Sequence, residues 1–370
     1  MRYDFQPYAC YSSRWIGVMR GLPVKMSKRP LRTALTLALS LLVLAAPLSM
    51  PASADSFIPI IDGHTHIYRN LRRAGGEDEA ARGALGLMDR LGVTLTILAP
   101  PPFPADRSES YGLPELARLV HAHPDRFAFT AGGESLNPMI QETPPGSVTS
   151  AVLGRFVEAA ELIARSGAAG FGELAAEHFS NRQGRHPYES VPADHKLLLA
   201  LADIAARYGM PIELHMEAVP RDMAFPSAAR PGPPNPPRLT ANIAAFERLL
   251  DHNTQARIVW LHAGWDLTGE RSVTLMRTLL ARHKNLYMSI KSDNAGALAT
   301  SPFLADAMLK PEWVEMLRAF PSRFVIGSDQ FFDQEPQRIR RARRFVDALP
   351  PDLARLVASE NIRQIYRLAP

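Results

Sequence analysis

Two histidines two residues apart, His64 and His66, close the first apolar run in IIDGHTHI, Ile60 to Ile67. Alternate side chains of a β-strand share a face, so two imidazoles at this spacing can grip one metal ion. The chain supplies its own contrast. His121 and His123 have the same spacing but close LPELARLVHAHP, whose apolar positions recur at helical period until Pro124 stops them. On a helix that spacing is a rotation of roughly 200°, so this pair diverges and is expected to meet the helix C-terminal dipole only weakly. Further donors end later apolar runs: Glu173 in GFGEL, His215 in PIELHME, His262 in IVWLHAGW and Asp329 in FVIGSDQF. Nitrogen and carboxylate donors of these types suit zinc or a similar divalent ion. Each has a plainer reading alone: a hydrogen-bonded histidine, a Glu173 paired with a cation, an Asp329 capping the next helix. The separate readings do not explain why all six fall at the ends of strand-like runs.

Donors so scattered need a scaffold that brings strand ends together. Strand-like runs occur near Phe57–Asp62, Val93–Leu98, Phe127–Ala131, Ala168–Glu173, Pro211–His215, Arg257–His262, Leu286–Ile290 and Arg323–Ser328. Helical patterns lie between them, several closed by glycine, as at Gly92, Gly167 and Gly209. Strand and helix alternating eight times is the pattern of an α/β (β/α)8 TIM barrel, whose functional groups gather at the C-terminal strand ends. An open doubly wound sheet is the rival, but no glycine-rich phosphate loop follows the first strand. Strict alternation puts Ile258 and Trp260 on the face of His262, and Val325 and Gly327 on that of Asp329, as apolar filling beneath polar tips. The proline-rich stretch from Ala218 to Arg238 reads as an extended βα loop over the barrel mouth rather than a domain boundary.

The donor set resembles the amidohydrolase superfamily, and its arrangement resembles the amidohydrolase-related (type 2) branch. The likeness runs to the closing ENIRQIYRL, Glu360 to Leu368, which resembles that branch's terminal helix with its Asn361. The resemblance implies that His64, His66 and His215 are metal ligands. It implies that Asp329 binds metal and accepts a proton from the attacking water. His262 would be a second-metal ligand or a catalytic histidine. Glu173 would be the bridging carboxylate that binuclear relatives carry on strand four. The implied cofactor is a divalent metal, Zn2+ by expectation, as one or two ions. A divalent ion lowers the pKa of bound water to about 7 and polarises a carbonyl. The implied enzyme is therefore a metal-dependent hydrolase of a carboxylic amide, ester or lactone. The alternative is a zinc-dependent non-oxidative decarboxylase of an aromatic or related acid. A barrel that has lost catalysis and only binds a ligand is a third reading, disfavoured because all six positions are filled.

Lesser candidates surround this set. Asp62 and Glu213 are expected to orient His64 and His215 or to form a polar barrel layer. Glu217, Trp265, Asp266, Lys291 and Phe331 are expected at the mouth. His178, His186 and Tyr188 read as a solvated loop or substrate contacts, and His195, His252 and His283 as surface residues.

The N-terminus is expected to lie outside the fold. Lys28, Arg29 and Arg32 precede an apolar run from Ala34 to Ala46 and a small-residue site at Ala52 to Ala54. This is the pattern of a secretory signal peptide, with an N-terminal anchor as the alternative. Met26 opens a conventional one, as an alternative start. Residues 1–54 are thus read as signal region and residues 55–370 as the hydrolase domain. The leader holds seven Lys or Arg and one Asp, so the net charge of +5 for the whole chain becomes −1 without it. Nothing then favours nucleic acid, and no stable membrane insertion is expected after cleavage. The only cysteine, Cys10, also lies upstream, so disulfides cannot stabilise an exported product. A small-molecule substrate, a periplasmic location and a homodimer complete the expectations.

Overall fold

The structure, a computed structural model, describes residues 58–67, 71, 74–102, 111–180, 187–227, 229, 232–292 and 298–369. The signal-peptide expectation, Cys10 and His186 fall outside the described residues.

Eight strands alternate with helices: β1 (Ile60–His66), β2 (Val93–Leu98), β3 (Phe127–Gly132), β4 (Gly170–His178), β5 (Pro211–Met216), β6 (Arg257–Ala263), β7 (Leu286–Ile290) and β8 (Phe324–Ile326). Each pairs in parallel with the next. Closure is made by a break in the last strand. Phe324–Ile326 pairs with β7, and after residues 327–329 the chain resumes as Gln330–Phe331, parallel to β1. The result is an α/β fold with a mostly parallel central sheet, consistent with the TIM barrel read from the sequence. Residues 55–370 form one compact unit. Among the described residues of the proline-rich segment, Met223–Ala224 forms a short antiparallel pair with Arg238–Leu239.

Local chemistry sets the elements. The helix Gly76–Leu91 has Glu77, Asp78 and Glu79 in its first turn and ends on Gly92 at φ 63°; Lys196–Tyr208 ends on Gly209 at φ 65°. Glycine enters that left-handed region without the Cβ penalty. β4 is buried at every position, as a strand covered on both faces must be.

Two apolar layers result. Strand side chains such as Ile258, Trp260 and Phe324 face outward into the large cluster shared with the helices. Ile61, Ile97, Val259, Leu261 and Val325 fill the barrel and are met there by Ile362, Ile365 and Tyr366 of the terminal helix Asn361–Tyr366. The sequence expectation that Ile258 and Trp260 share a face with His262 is thus corrected. Trp260 packs outward on Phe246 and under Arg271, while His262 turns inward. The cause is local: His262 has φ 67°, and the β6–β7 register slips by one residue between Met288 and Ile290. Such a bulge re-aims a side chain.

Candidate metal centre

All six sequence-predicted donors are buried and meet at one end of the barrel. Three groups of them have ligand atoms within 4.8 Å of one another: His64, His66 and Glu173; His64, His262 and Asp329; and Glu173, His215 and His262. β1 delivers its two histidines side by side, with ring centroids 5.0 Å apart. A register shift between Asp62 and Thr65 lies between inward Ile61 and the two imidazoles. Asp329 follows the break in the eighth strand, has φ 56°, and donates its backbone N–H to the His64 carbonyl at 2.8 Å.

Hydrogen bonds fix which nitrogen faces inward. His66 Nδ1 lies 2.9 Å from the Ala99 carbonyl, which can only accept, so Nδ1 carries the proton and Nε2 faces the centre. His64 Nδ1 lies 3.1 Å from Glu213 Oε2, which leaves Nε2 inward, buried and without a hydrogen-bond partner. A partner on the remote ring nitrogen is the usual support of a metal-binding imidazole. The His262 Nε2 is likewise buried and unpartnered. Two orphaned imidazole nitrogens among carboxylates are donors of the kind a divalent cation takes.

Glu173 occupies the middle of the set. Its Oε2 lies 3.6 Å from His64 Nε2 and 3.5 Å from His66 Nε2, while Oε1 lies 2.8 Å from His215 Nδ1. Burial works to raise its pKa, but the His215 and His64 contacts outweigh it and hold the carboxyl well below its ordinary value. Burial alone would lower His64; Glu173 and Glu213 instead raise it well above the ordinary imidazole value. Those carboxylates favour positive charge at this point, and a metal ion satisfies the same field as a proton. Burial, reinforced by Lys291 and His215, holds His262 well below its ordinary value, so it stays neutral.

Asp329 is held on both sides. Its Oδ1 lies 3.1 Å from His66 Nε2, while Oδ2 accepts from Lys291 Nζ at 2.5 Å and Arg338 Nη1 at 2.6 Å. Burial tends to raise this carboxyl, but Arg338 and Lys291 prevail and keep it well below its ordinary value. Lys291 was expected at the mouth; Arg338 was missed. Its signal was a basic residue in the first turn of the helix Gln337–Ala348, where the dipole favours acids.

The lesser candidates divide. Glu213 orients His64, not His215, and the Asp62 carboxylate accepts from the backbone N–H groups of Ser328 and His64. Phe331 stacks beside His66 at 4.2 Å, and Lys291 lies over the Trp265 ring at 4.6 Å. Glu217 Oε1 is 3.7 Å from His215 Nε2. Asp266 instead organises its loop, accepting from the backbone of Ala218, Glu270 and Arg271. The solvated-loop reading of His178 and Tyr188 is corrected. His178 is the last residue of β4 and packs on His215 at 4.0 Å; Tyr188 donates to Glu177 at 2.7 Å. His195 and His283 are buried rather than superficial, the first capping a helix by accepting from Leu197 N–H, the second beside Glu247 and Asp251. His252 pairs with Asp203 at the surface.

A family model described as Amidohydrolase matches residues 61–368. The chain belongs to that amidohydrolase family, in its type 2 branch, and is an enzyme. No curated protein matches it. Among solved structures it is similar to 5-carboxyvanillate decarboxylase from Sphingomonas paucimobilis, at 14% identity over 84% of this chain and 100% of that one, TM-score 0.47. It is also similar to a probable 2-pyrone-4,6-dicarboxylic acid hydrolase from Acinetobacter baumannii, at 13% identity over 84% and 99%, TM-score 0.47. A 2,6-dihydroxybenzoate decarboxylase from Rhizobium matches at 15% identity over 84% and 98%, TM-score 0.48.

Proposed function

We propose that this enzyme is a metal-dependent hydrolase of a carboxylic amide, ester or lactone, with room for two divalent cations, Zn2+ by preference. One observation carries the reading: the Glu173 carboxylate reaches His64 and His66 through one oxygen and His215 through the other. A carboxylate so placed can serve two ligand sets, His64, His66 and Asp329 on one side and His215 with His262 on the other. Divalent cations held there acidify water and polarise a carbonyl oxygen. The chain's own groups do the rest. Glu213 and the Ala99 carbonyl fix the ring orientation of His64 and His66. Lys291 and Arg338 donate to Oδ2 of Asp329, which leaves Oδ1, beside His66 Nε2, as the oxygen that would take a proton from water and return it to the leaving group. The same cations weaken Asp329 as a base, which confines it to a proton made acidic by its surroundings.

A second reading has its own support. The His262 Nε2 has no partner, as a proton carrier beside a single cation requires, and that arrangement would serve a non-oxidative decarboxylase. Ester, lactone and amide panels run beside CO2 release from aromatic acids separate the two. Turnover on the first panel, with a metal stoichiometry that falls by half in Glu173→Gln, supports the hydrolase. CO2 release at one equivalent of metal supports the decarboxylase and overturns it. We also propose export to the periplasm, on the leader pattern in residues 28–54. N-terminal sequencing of the mature protein is expected to start near Asp55, and an intact leader in the cytoplasm would refute export.

A further inference from the structure

The end of the chain reaches the metal centre from below. Tyr366 donates its hydroxyl to Glu213 Oε1 at 2.8 Å, and Glu213 Oε2 accepts from His64 Nδ1 at 3.1 Å. Thr130 Oγ1 adds a bond to the same Oε2 at 3.2 Å. Every member is buried: Tyr366 is 3% exposed, Glu213, His64 and Thr130 0%. Gly172 closes the remaining side, where an added Cβ would lie 2.6 Å from the Glu213 Cβ. Glu213 is thus held by three donors, with the Gly172 backbone packed against its side chain. In a buried site each of its oxygens needs a donor, and for Oε1 that donor is the tyrosine.

We infer that Tyr366 is a positioning residue for the metal centre, acting through Glu213 to fix the ring orientation of His64. This rests on the metal reading above. A carboxylate behind an imidazole typically governs metal affinity by about 10- to 100-fold, and Tyr366 stands one bond further out. The helix that carries it does not depend on its hydroxyl. Asn361 Nδ2 donates to the Pro321 and Phe324 carbonyls at 2.8 Å, Arg257 Nη1 donates to the Ile365 carbonyl at 2.8 Å, and Ile362 and Ile365 pack inside the barrel. Tyr366→Phe thus removes one hydrogen bond and leaves the helix docked.

The test is Zn2+ affinity of the chelator-stripped full chain, measured by competition with a chromophoric chelator. Tyr366→Phe is expected to weaken Zn2+ binding about tenfold, by analogy with outer partners of metal-binding histidines. Ile365→Val, which loosens the same helix without touching the hydrogen bond, should stay within about twofold. In a Glu213→Gln background Tyr366→Phe should add almost nothing, since residues acting in series are not additive. An unchanged affinity in Tyr366→Phe, an equal loss in Ile365→Val, or additive losses with Glu213→Gln would overturn the inference. A wild-type chain that takes up no Zn2+ would instead sink the metal reading, and this one with it.

Discussion

Glu189 carries a carboxyl that the fold withdraws from water. It sits on a short strand paired with the end of β4, accepts from Asn137 Nδ2 at 2.8 Å on one oxygen, and is 6% exposed. Burial pushes its pKa from 4.5 to about 8. The folded chain therefore binds this proton more tightly than the unfolded chain does. The group leaves stability untouched below pH 4.5, erodes it as pH rises towards about 8, and costs most above that. The slope inside the window is at most about 1.4 kcal/mol per pH unit. Glu189→Gln should match the wild type at pH 4 and exceed it at pH 9 when unfolded by urea in the presence of chelator. A variant less stable at every pH would contradict this. Residue types were the most legible part of the sequence: the six donors read from strand-like runs meet at one end of the barrel, although Glu173 lies within β4 rather than at its end. Partners were less legible: the pairing of Glu213 with His64 and the reach of Tyr366 to Glu213 span long sequence separations that no local pattern encodes, while Arg338, nine residues after Asp329, left only a weak local signal.

At the scale of elements, the eighth strand does two jobs by being interrupted. Its first part pairs with β7, its second with β1, and Asp329 is released inward between them. Gly327 sits in the gap because nothing larger fits: a Cβ there would overlap the Ser289 hydroxyl and lie 3.1 Å from the His64 Cβ. Gly327→Ala should therefore displace Ser289 or His64. Overpacking of this kind typically costs about 1–3 kcal/mol, and here metal affinity should fall with stability, read by urea unfolding and chelator competition. Loss of stability with unchanged affinity would place the strain away from His64. Strand positions were readable from alternating runs and closing glycines: Val93–Leu98 and Leu286–Ile290 coincide with their expected ranges, and the other six strands overlap theirs with ends shifted by a few residues. The facing of His262 was not, because a pleat broken by one left-handed residue reverses everything beyond it. Alternation alone would have sent that imidazole into the helix layer.

Across the whole molecule, barrel and metal centre are thermodynamically coupled. Donors converge from β1, β4, β5, β6 and the break after β8, so a cation joining them binds the folded chain far better than the unfolded one. Such binding stabilises by about 2.7 kcal/mol at a hundredfold excess over Kd. Chelation should therefore lower Tm, and restoring Zn2+ should raise it again; a Tm indifferent to both would contradict the coupling. With Cys10 as its only cysteine, the chain has no intramolecular disulfide to mask that dependence. The most direct measurement of the central claim is an anomalous difference map from crystals of the Zn2+-loaded protein at the zinc edge. The account predicts density among His64, His66, Glu173 and Asp329, with a second peak between Glu173, His215 and His262. No peak among these side chains in a protein that is otherwise folded would contradict it.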